Sequence, residues 1–371
     1  MKLKHLDLFS GIGGFHLGFE KAGFEIESYF SEIDKYAIDV YKNNFKNSKY
    51  VGSVTNIQGG QLPKIDLITF GSPCQDFSLA GKRRGMQGAR SSLISQAIQL
   101  IGEYRPSVFI WENVKGTFSS NSGEDFWAII QTFANIGGYR LEWQLLNTSW
   151  FLPQNRERIY LVGCLRKGSG KQIFPITENN RQINELQRQQ TNTCTLTTRN
   201  AAGGNGSYII ERQLDAQEKI EVGTWRIYKD KRGFEARTDL VSPTIAARAR
   251  EDGSGQPVIK ITSGTKKGYE KAQQGDAINL AFPGSTTKRG RVGKKQSQTL
   301  DTACNMGVYT DKIRRLTPIE CERLQGFPDN WTKTGKELGT ISDSQRYKMC
   351  GNAVTVDVVK AIANKIKLNI L

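Results

Sequence analysis

Short apolar runs alternate with stretches of helical periodicity through residues 1–165, the pattern of an α/β chain. Leu6-Asp7-Leu8-Phe9 reads as a first strand and runs into Ser10-Gly11-Ile12-Gly13-Gly14-Phe15. Glycines packed between a strand and a helix let a ligand approach the backbone closely. Phe15, Phe19 and Ala22 recur at helical spacing, and Gly23 stops that helix. Residues 24–30 alternate like a second strand and end at Ser31-Glu32-Ile33-Asp34, where nucleotide-type folds place a carboxylate for a ribose. A helix over 35–44 and a short third strand over 50–55 follow.

Ile65-Asp66-Leu67-Ile68-Thr69-Phe70 reads as a buried strand ending at Gly71. Pro73 stiffens the turn beyond it, and Cys74 falls in the crevice where open α/β sheets bind ligands. Residues 78–90, rich in glycine and carrying Lys82, Arg83, Arg84 and Arg90, read as a mobile loop with the character of a lid. After a helix over 93–104, the strand 106–111 delivers Glu112-Asn113-Val114 to the rim that holds Cys74, if the sheet is parallel. A helix over 124–135 and a strand over 141–146 lead to Pro153-Gln154-Asn155-Arg156-Glu157-Arg158, just before the strand 159–163. Two arginines two apart on an extended chain should point the same way, which suits gripping an anion or a carbonyl-bearing base.

From Arg166 to Asp311 the pattern changes to Gly, Thr, Gln, Arg and Lys with short strand-like pieces at 208–210 and 225–228. That predicts a separate, loop-rich, mostly β unit. It carries a loose echo in residues 193–199, 242–248 and 298–303, too unevenly spaced for a repeat fold. Basic clusters at Lys266-Lys267 and at Lys288, Arg289, Arg291, Lys294 and Lys295 suit phosphate contact. Regular structure returns at Thr317-Pro318-Ile319-Glu320, a capping box with Gly326 as the stop, and the chain closes on a helix carrying Val358, Val359, Ile362, Ala363 and Ile366.

Charge narrows the partner. Lys and Arg total 52 against 36 Asp and Glu, a net +16 that favours a polyanion, nucleic acid before membrane. No stretch approaches the ~20 apolar residues of a membrane span, and Met1-Lys2-Leu3-Lys4-His5 leads straight into a strand without a signal peptide, so a cytoplasmic protein is expected. The six cysteines form no Cys-x-x-Cys pair, and the two histidines, His5 and His16, stand near the amino terminus. Structural zinc, a disulfide framework and His-dependent nucleophilic catalysis are all disfavoured.

In order along the chain, Asp7-Leu8-Phe9-Ser10-Gly11-Ile12-Gly13-Gly14, Gly71-Ser72-Pro73-Cys74-Gln75, Glu112-Asn113-Val114, Gln154-Asn155-Arg156-Glu157-Arg158, residues 314–326 and Gly351-Asn352-Ala353-Val354 resemble the motifs of the DNA (cytosine-5)-methyltransferase family, of the stand-alone bacterial or phage restriction-modification kind. The resemblance covers roughly residues 5–165 and 311–360. It implies a doubly wound, mostly parallel sheet, the Rossmann-like fold of S-adenosylmethionine-dependent methyltransferases. A smaller, loop-rich, mostly β target-recognition domain would accompany it. The expected divisions are 1–165 for cofactor binding and catalysis, 166–311 for target recognition, 312–345 for a hinge and support helix, and 346–371 for a helix returning to the first domain.

The resemblance further implies sequence-specific methylation of cytosine carbon 5 in duplex DNA by base flipping, with a covalent Cys74 adduct at carbon 6. Glu112 would relieve charge at ring nitrogen 3, Arg156 would hold the base carbonyl and help order the site, and Arg158 would pair with Glu112 or buttress the thiolate. Phe9, Gly11, Ile12, Gly14, Glu32, Ile33, Val54, Pro73, Leu93, Asn352 and Val354 would form the S-adenosylmethionine pocket. Gln75, Ser78, Lys82, Arg83, Arg84 and Arg90 would meet DNA. Ser53 stands where the family often carries an acid for the adenine amine. A monomer without an obligate protein partner is expected. An RNA cytosine methyltransferase and a non-catalytic DNA-binding protein are the alternatives; the large middle segment argues against the first, and the joint presence of Cys74, Glu112, Arg156 and Arg158 against the second.

Overall fold

The computed structural model describes residues 2–72, 91–165, 172–177, 221–228, 231–237, 257–282, 285–310 and 313–369. Its centre is a seven-stranded sheet built from β1 (Lys2–Leu8), β2 (Glu25–Ser31), β3 (Lys49–Tyr50), β4 (Leu67–Gly71), β5 (Val108–Val114), β6 (Tyr139–Asn147) and β8 (Glu157–Leu165), in the order β3-β2-β1-β4-β5-β8-β6. The first five strands in that order run parallel, while β8 lies antiparallel to both neighbours. This is the doubly wound, mostly parallel sheet that the family resemblance implies. β4 and β5 are buried nearly end to end, as continuous apolar runs in a covered sheet must be.

Helices cover both faces. Alternate strand residues Leu6, Leu8, Ile68, Phe70, Phe109 and Trp111 pack on one face with α3 (Ser91–Tyr104) and α4 (Glu124–Asn135). The opposite parity, Leu3, Leu67, Val108, Ile110, Tyr160 and Val162, packs with α1 (Gly14–Lys21) and the last helix, α7 (Val356–Asn369). The carboxyl-terminal helix thus returns to the first sheet. Gly18 makes the close packing possible: a Cβ there would lie 2.5 Å from Val359 Cγ1. A third cluster joins α2 (Lys35–Asn44) to Ile12, Phe327 and Met349.

The expected third strand over 50–55 is corrected to Lys49–Tyr50 alone. Gly52 adopts φ 85, leaving the extended region, and the Ser53 side chain then accepts from Thr55 N to start a 3₁₀ turn over Val54–Asn56.

Beyond residue 165 the described segments are β-rich. One sheet orders β9 (Glu221–Tyr228), β10 (Lys231–Arg237), β11 (Pro257–Thr262) and β12 (Tyr269–Gln273) as β10-β9-β11-β12. Another orders β13 (Ala277–Asn279), β14 (Val292–Gly293), β16 (Met306–Tyr309) and β17 (Ile313–Arg315) as β14-β13-β16-β17. Residues 193–199, 208–210 and 242–248, singled out above, lie outside the described residues. The helix α5 (Pro318–Leu324) carries the expected capping box, Thr317 and Glu320 exchanging side-chain and backbone hydrogen bonds, and Gly326 follows at φ 81. The helix α6 (Asp343–Asn352) precedes α7. Among the described residues no helix is long and apolar enough to cross a membrane.

Candidate active site

β1, β2, β4 and β5 all end on one rim, so the turns that follow them converge there. After β1 the chain turns sharply through Phe9 (φ 50), Gly11 (φ 52) and Gly13 (φ 85). Glu32, just past β2, shapes this turn: its Oε2 accepts Gly11 N–H at 2.8 Å, and its Oε1 accepts Ile33 N–H (2.7 Å) and Asp34 N–H (3.0 Å). Among the described residues, no atom beyond the chain neighbours lies within 4 Å of where a Gly11 Cβ would stand, so the backbone there is open to close approach from them. At Gly14 the opposite holds, with Val354 Cγ2 only 2.6 Å from a hypothetical Cβ. The turn after α6 is thereby seated on the turn after β1. Asn352 is exposed and Ile33, at 80 % exposure, stands beside Glu32.

The side chains of Ile12 and Val54 are buried in core clusters. Leu93 packs partly buried against the first cluster. Pro73, Cys74, Gln75, Ser78, Lys82, Arg83, Arg84 and Arg90 lie outside the described residues.

The strand that leads toward Cys74 is nonetheless fixed. Gly71 pairs with Glu112 across parallel β4 and β5, and a Cβ at Gly71 would sit 2.9 Å from Glu112 Oε2. Ser72 is held by Trp111 Nε1 (2.9 Å) and Asn113 Nδ2 (3.1 Å), both donating to its hydroxyl. Glu112 is buried, and its Oε1 meets Arg158 Nε at 3.1 Å. Arg158 reaches it because Val114 and Arg158 are register partners at the start of antiparallel β8. A cleft of about 290 Å³ opens beside this pair, lined by Val114, Lys115, Gly116, Asn155, Glu157, Arg158 and Thr299. Lys115 Nζ and Glu157 Oε2 form an exposed ion pair at its edge (2.8 Å).

The expectation that Arg156 and Arg158 point the same way is corrected. Arg156 precedes β8, is 3 % exposed, and donates to the backbone carbonyls of Leu300, Gly351 and Ala353. Arg158 lines the cleft. The basic cluster near 290 is corrected at Arg291, which is buried and donates to Thr262 O and Asn279 O; Lys294 is exposed and pairs with Asp276 Oδ2 at 2.6 Å. Lys266, Lys267, Lys288, Arg289 and Lys295 remain exposed. The cleft position of Thr299 was not foreseen; its only sequence signal is the Gln298-Thr299-Leu300 member of the loose echo.

A polar network lies buried beneath the β1 turn. Thr69 Oγ1 donates to Asp7 Oδ1 (2.8 Å), and His5 Nε2 lies 2.7 Å from the same hydroxyl. Tyr41 OH bonds to Ser28 Oγ (2.8 Å) and His16 Nδ1 (2.9 Å). Burial holds the Asp7 carboxyl well above, and the His5 imidazole well below, their ordinary pKa values.

The family model for C-5 cytosine-specific DNA methylases matches residues 3–368. The chain belongs to that family. It is a DNA cytosine-5 methyltransferase, and similar proteins span nearly all of it. An orphan methyltransferase, M.SPRI of Bacillus phage SPR, is 28% identical, the match covering 97% of this chain and 96% of the relative. The type II methyltransferase M1.ScrFI of Lactococcus lactis subsp. cremoris is 32% identical over 98% of this chain and 78% of its own. Among solved structures, Entamoeba histolytica methyltransferase EhMeth aligns over 99% of this chain and 98% of its own, with 15% identity and a TM-score of 0.55. Schizosaccharomyces pombe Dnmt2 methyltransferase covers 99% of each chain at 17% identity and a TM-score of 0.52. Both show the same fold. For this methylase, the two arms of the rim are the Gly11–Glu32 turn on one side and the Glu112–Arg158 pair on the other.

Proposed function

We propose that this methylase transfers a methyl group from S-adenosylmethionine to carbon 5 of a cytosine flipped out of duplex DNA, through a covalent Cys74 adduct, at one short recognition sequence. What supports this most is the placement of Glu112: buried at the rim, paired with Arg158, and pressed against Gly71, three residues before Cys74 in the chain.

The β1 turn fits the cofactor. Gly11 presents open backbone, and the Glu32 carboxylate, with three backbone N–H bonds among about four acceptor sites, retains capacity for a ribose hydroxyl. Phe9, Gly14, Ile33, Leu93, Asn352, Val354 and Pro73 would complete the pocket. Bound S-adenosylmethionine supplies an electrophilic methyl group on a sulfonium.

Carbon 5 of cytosine is a poor nucleophile, so the chain must activate it. The Cys74 thiolate adds to carbon 6, and the electron pair displaced from the ring double bond makes carbon 5 nucleophilic. Negative charge accumulates toward ring nitrogen 3, where Glu112, in its protonated form, donates a hydrogen bond or its proton. Arg158 fixes the carboxyl with Oε2 turned toward Gly71. As the arginine that lines the cleft, it takes the base-carbonyl role first assigned to Arg156. Once carbon 5 carries the methyl group, a base or water takes its proton, the C–H electron pair restores the ring double bond, and Cys74 departs as the thiolate. Gln75, Ser78, Lys82, Arg83, Arg84 and Arg90 would hold the duplex around the flipped base, and exposed Lys266, Lys267, Lys288 and Arg289 would meet phosphates.

The test is expression in a host without cytosine methylation, followed by single-base mapping of modified cytosines. One short recurring methylated sequence is expected. Soluble protein without methylcytosine would refute the reading, and scattered methylation would refute sequence specificity.

A further inference from the structure

Three distant stretches of the chain meet around Gln154 and Arg156. The short strand β7 (Gln154–Asn155), just before β8 of the central sheet, pairs in parallel with β15 (Ser297–Gln298), which lies between β14 and β16 of the β-rich region. Gln154 is fully buried. Its Oε1 accepts Leu300 N–H (3.1 Å), and its Nε2 donates to Leu324 O at the end of α5 (2.8 Å). Arg156 grips the other side of Leu300, donating from Nη1 to its carbonyl (3.4 Å). The same guanidinium donates to Gly351 O (3.3 Å) and Ala353 O (2.8 Å), the residues flanking Asn352.

A backbone contact reinforces the junction. A Cβ at Gly351 would lie 2.5 Å from Asp301 O and 2.7 Å from Thr302 N, so only glycine lets these two stretches touch. On one side, Ala353 adjoins Val354, which seats against Gly14 of the cofactor turn. On the other, Leu300 adjoins Thr299, which lines the cleft with Glu157 and Arg158. The Gln154–Leu300 bond and the three Arg156 bonds are buried, so water cannot replace them when either end shifts, and the planar guanidinium moves as a rigid fork.

We propose that Gln154 and Arg156 are positioning residues that couple the cofactor turn at Gly11–Gly14 to the cleft edge at Thr299, so that cofactor and duplex each tighten the binding of the other. This rests on the reading above of S-adenosylmethionine and duplex DNA as the two ligands. Such linkage is reciprocal: the factor by which duplex improves cofactor affinity equals the factor by which cofactor improves duplex affinity.

The test uses the full chain and the unreactive product S-adenosylhomocysteine, titrated calorimetrically with and without a short duplex carrying the mapped site. Duplex affinity is measured by fluorescence anisotropy with and without the same ligand. The wild type is expected to show one common factor, about fivefold or more in each direction. Gln154→Met keeps the side-chain volume and removes both hydrogen bonds; it is expected to bring the factor to within about twofold of unity, while affinity for S-adenosylhomocysteine alone changes less than about threefold. Arg156→Lys, which keeps the charge but cannot span three carbonyls, gives a second variant with the same expectation if Gln154→Met does not fold. A wild-type factor of unity, or a folded variant that keeps the wild-type factor, overturns the coupling. Failure of the wild type to methylate the duplex at all would instead refute the functional reading on which it rests.

Discussion

Gly71 and Glu112 are register partners at the ends of β4 and β5, and a side chain on Gly71 would begin 2.9 Å from the Glu112 carboxylate oxygen. The glycine therefore sets where that carboxyl can stand. Gly71→Ala is expected to push Glu112 off its position against Arg158 and to lower single-turnover methyl transfer by roughly 100-fold, since small misplacements of reacting groups carry costs of that order. Duplex affinity measured alongside should change little. An unaltered rate would show that the Glu112 position does not matter.

Glu112→Gln keeps the shape and removes the proton the carboxyl can give. Loss of a general acid typically costs about 10²–10⁴ in rate. Rapid-quench measurement of methyl transfer on a saturating duplex should show a fall in that range, with the folded state preserved.

The buried histidine gives a pH prediction. Burial, with His16 nearby, lowers the His5 pKa well below 6.5, so between the folded value and about 6.5 the unfolded chain binds a proton that the folded chain refuses. His5 therefore leaves stability intact above about pH 6.5 and erodes it as pH falls below that value. Because Thr69 Oγ1 donates to Asp7, His5 Nε2 must be the donor to Thr69, a role the amide of glutamine can fill. His5→Gln is expected to flatten the acid side of the stability curve, followed by denaturant midpoints from pH 7 to 5. An unchanged slope would place the acid sensitivity elsewhere.

Gly18 faces Val359 where α7 crosses α1, with room for a hydrogen and no more. Gly18→Ala should destabilise the fold by about 1–3 kcal/mol through overpacking, read by chemical denaturation. A neutral result would mean that α7 is free to move away from α1.

Local signals carried most of the fold. The apolar runs of β4 and β5, the period of α4 and the Thr317–Glu320 capping box each lie within a few residues of sequence; α4 and the box stand where expected, while β4 and β5 start two residues late and β5 runs on through Glu112 to Val114. The third strand failed because Gly52 takes a left-handed conformation that an apolar pattern does not reveal. At the site, the carboxylates at strand ends were legible, since Glu32 and Glu112 follow runs that had to be strands. The role of Arg156 was not. Its partners lie 144 to 197 residues further along the chain, and backbone carbonyls carry no sequence signature. Thr299 reaches the cleft only because β15 pairs with β7, a tertiary event of the same kind.

The most direct test of the account is a duplex in which the target cytosine carries fluorine at carbon 5. Fluorine replaces the proton that must leave before the cysteine can depart, so addition and methyl transfer can occur while release cannot. Peptide mass spectrometry after incubation with S-adenosylmethionine should find the nucleotide and its new methyl group covalently attached to the peptide containing Cys74, and Cys74→Ser protein should form none. Methylation of an ordinary duplex without any adduct on the fluorinated one, or an adduct on another residue, would contradict the mechanism.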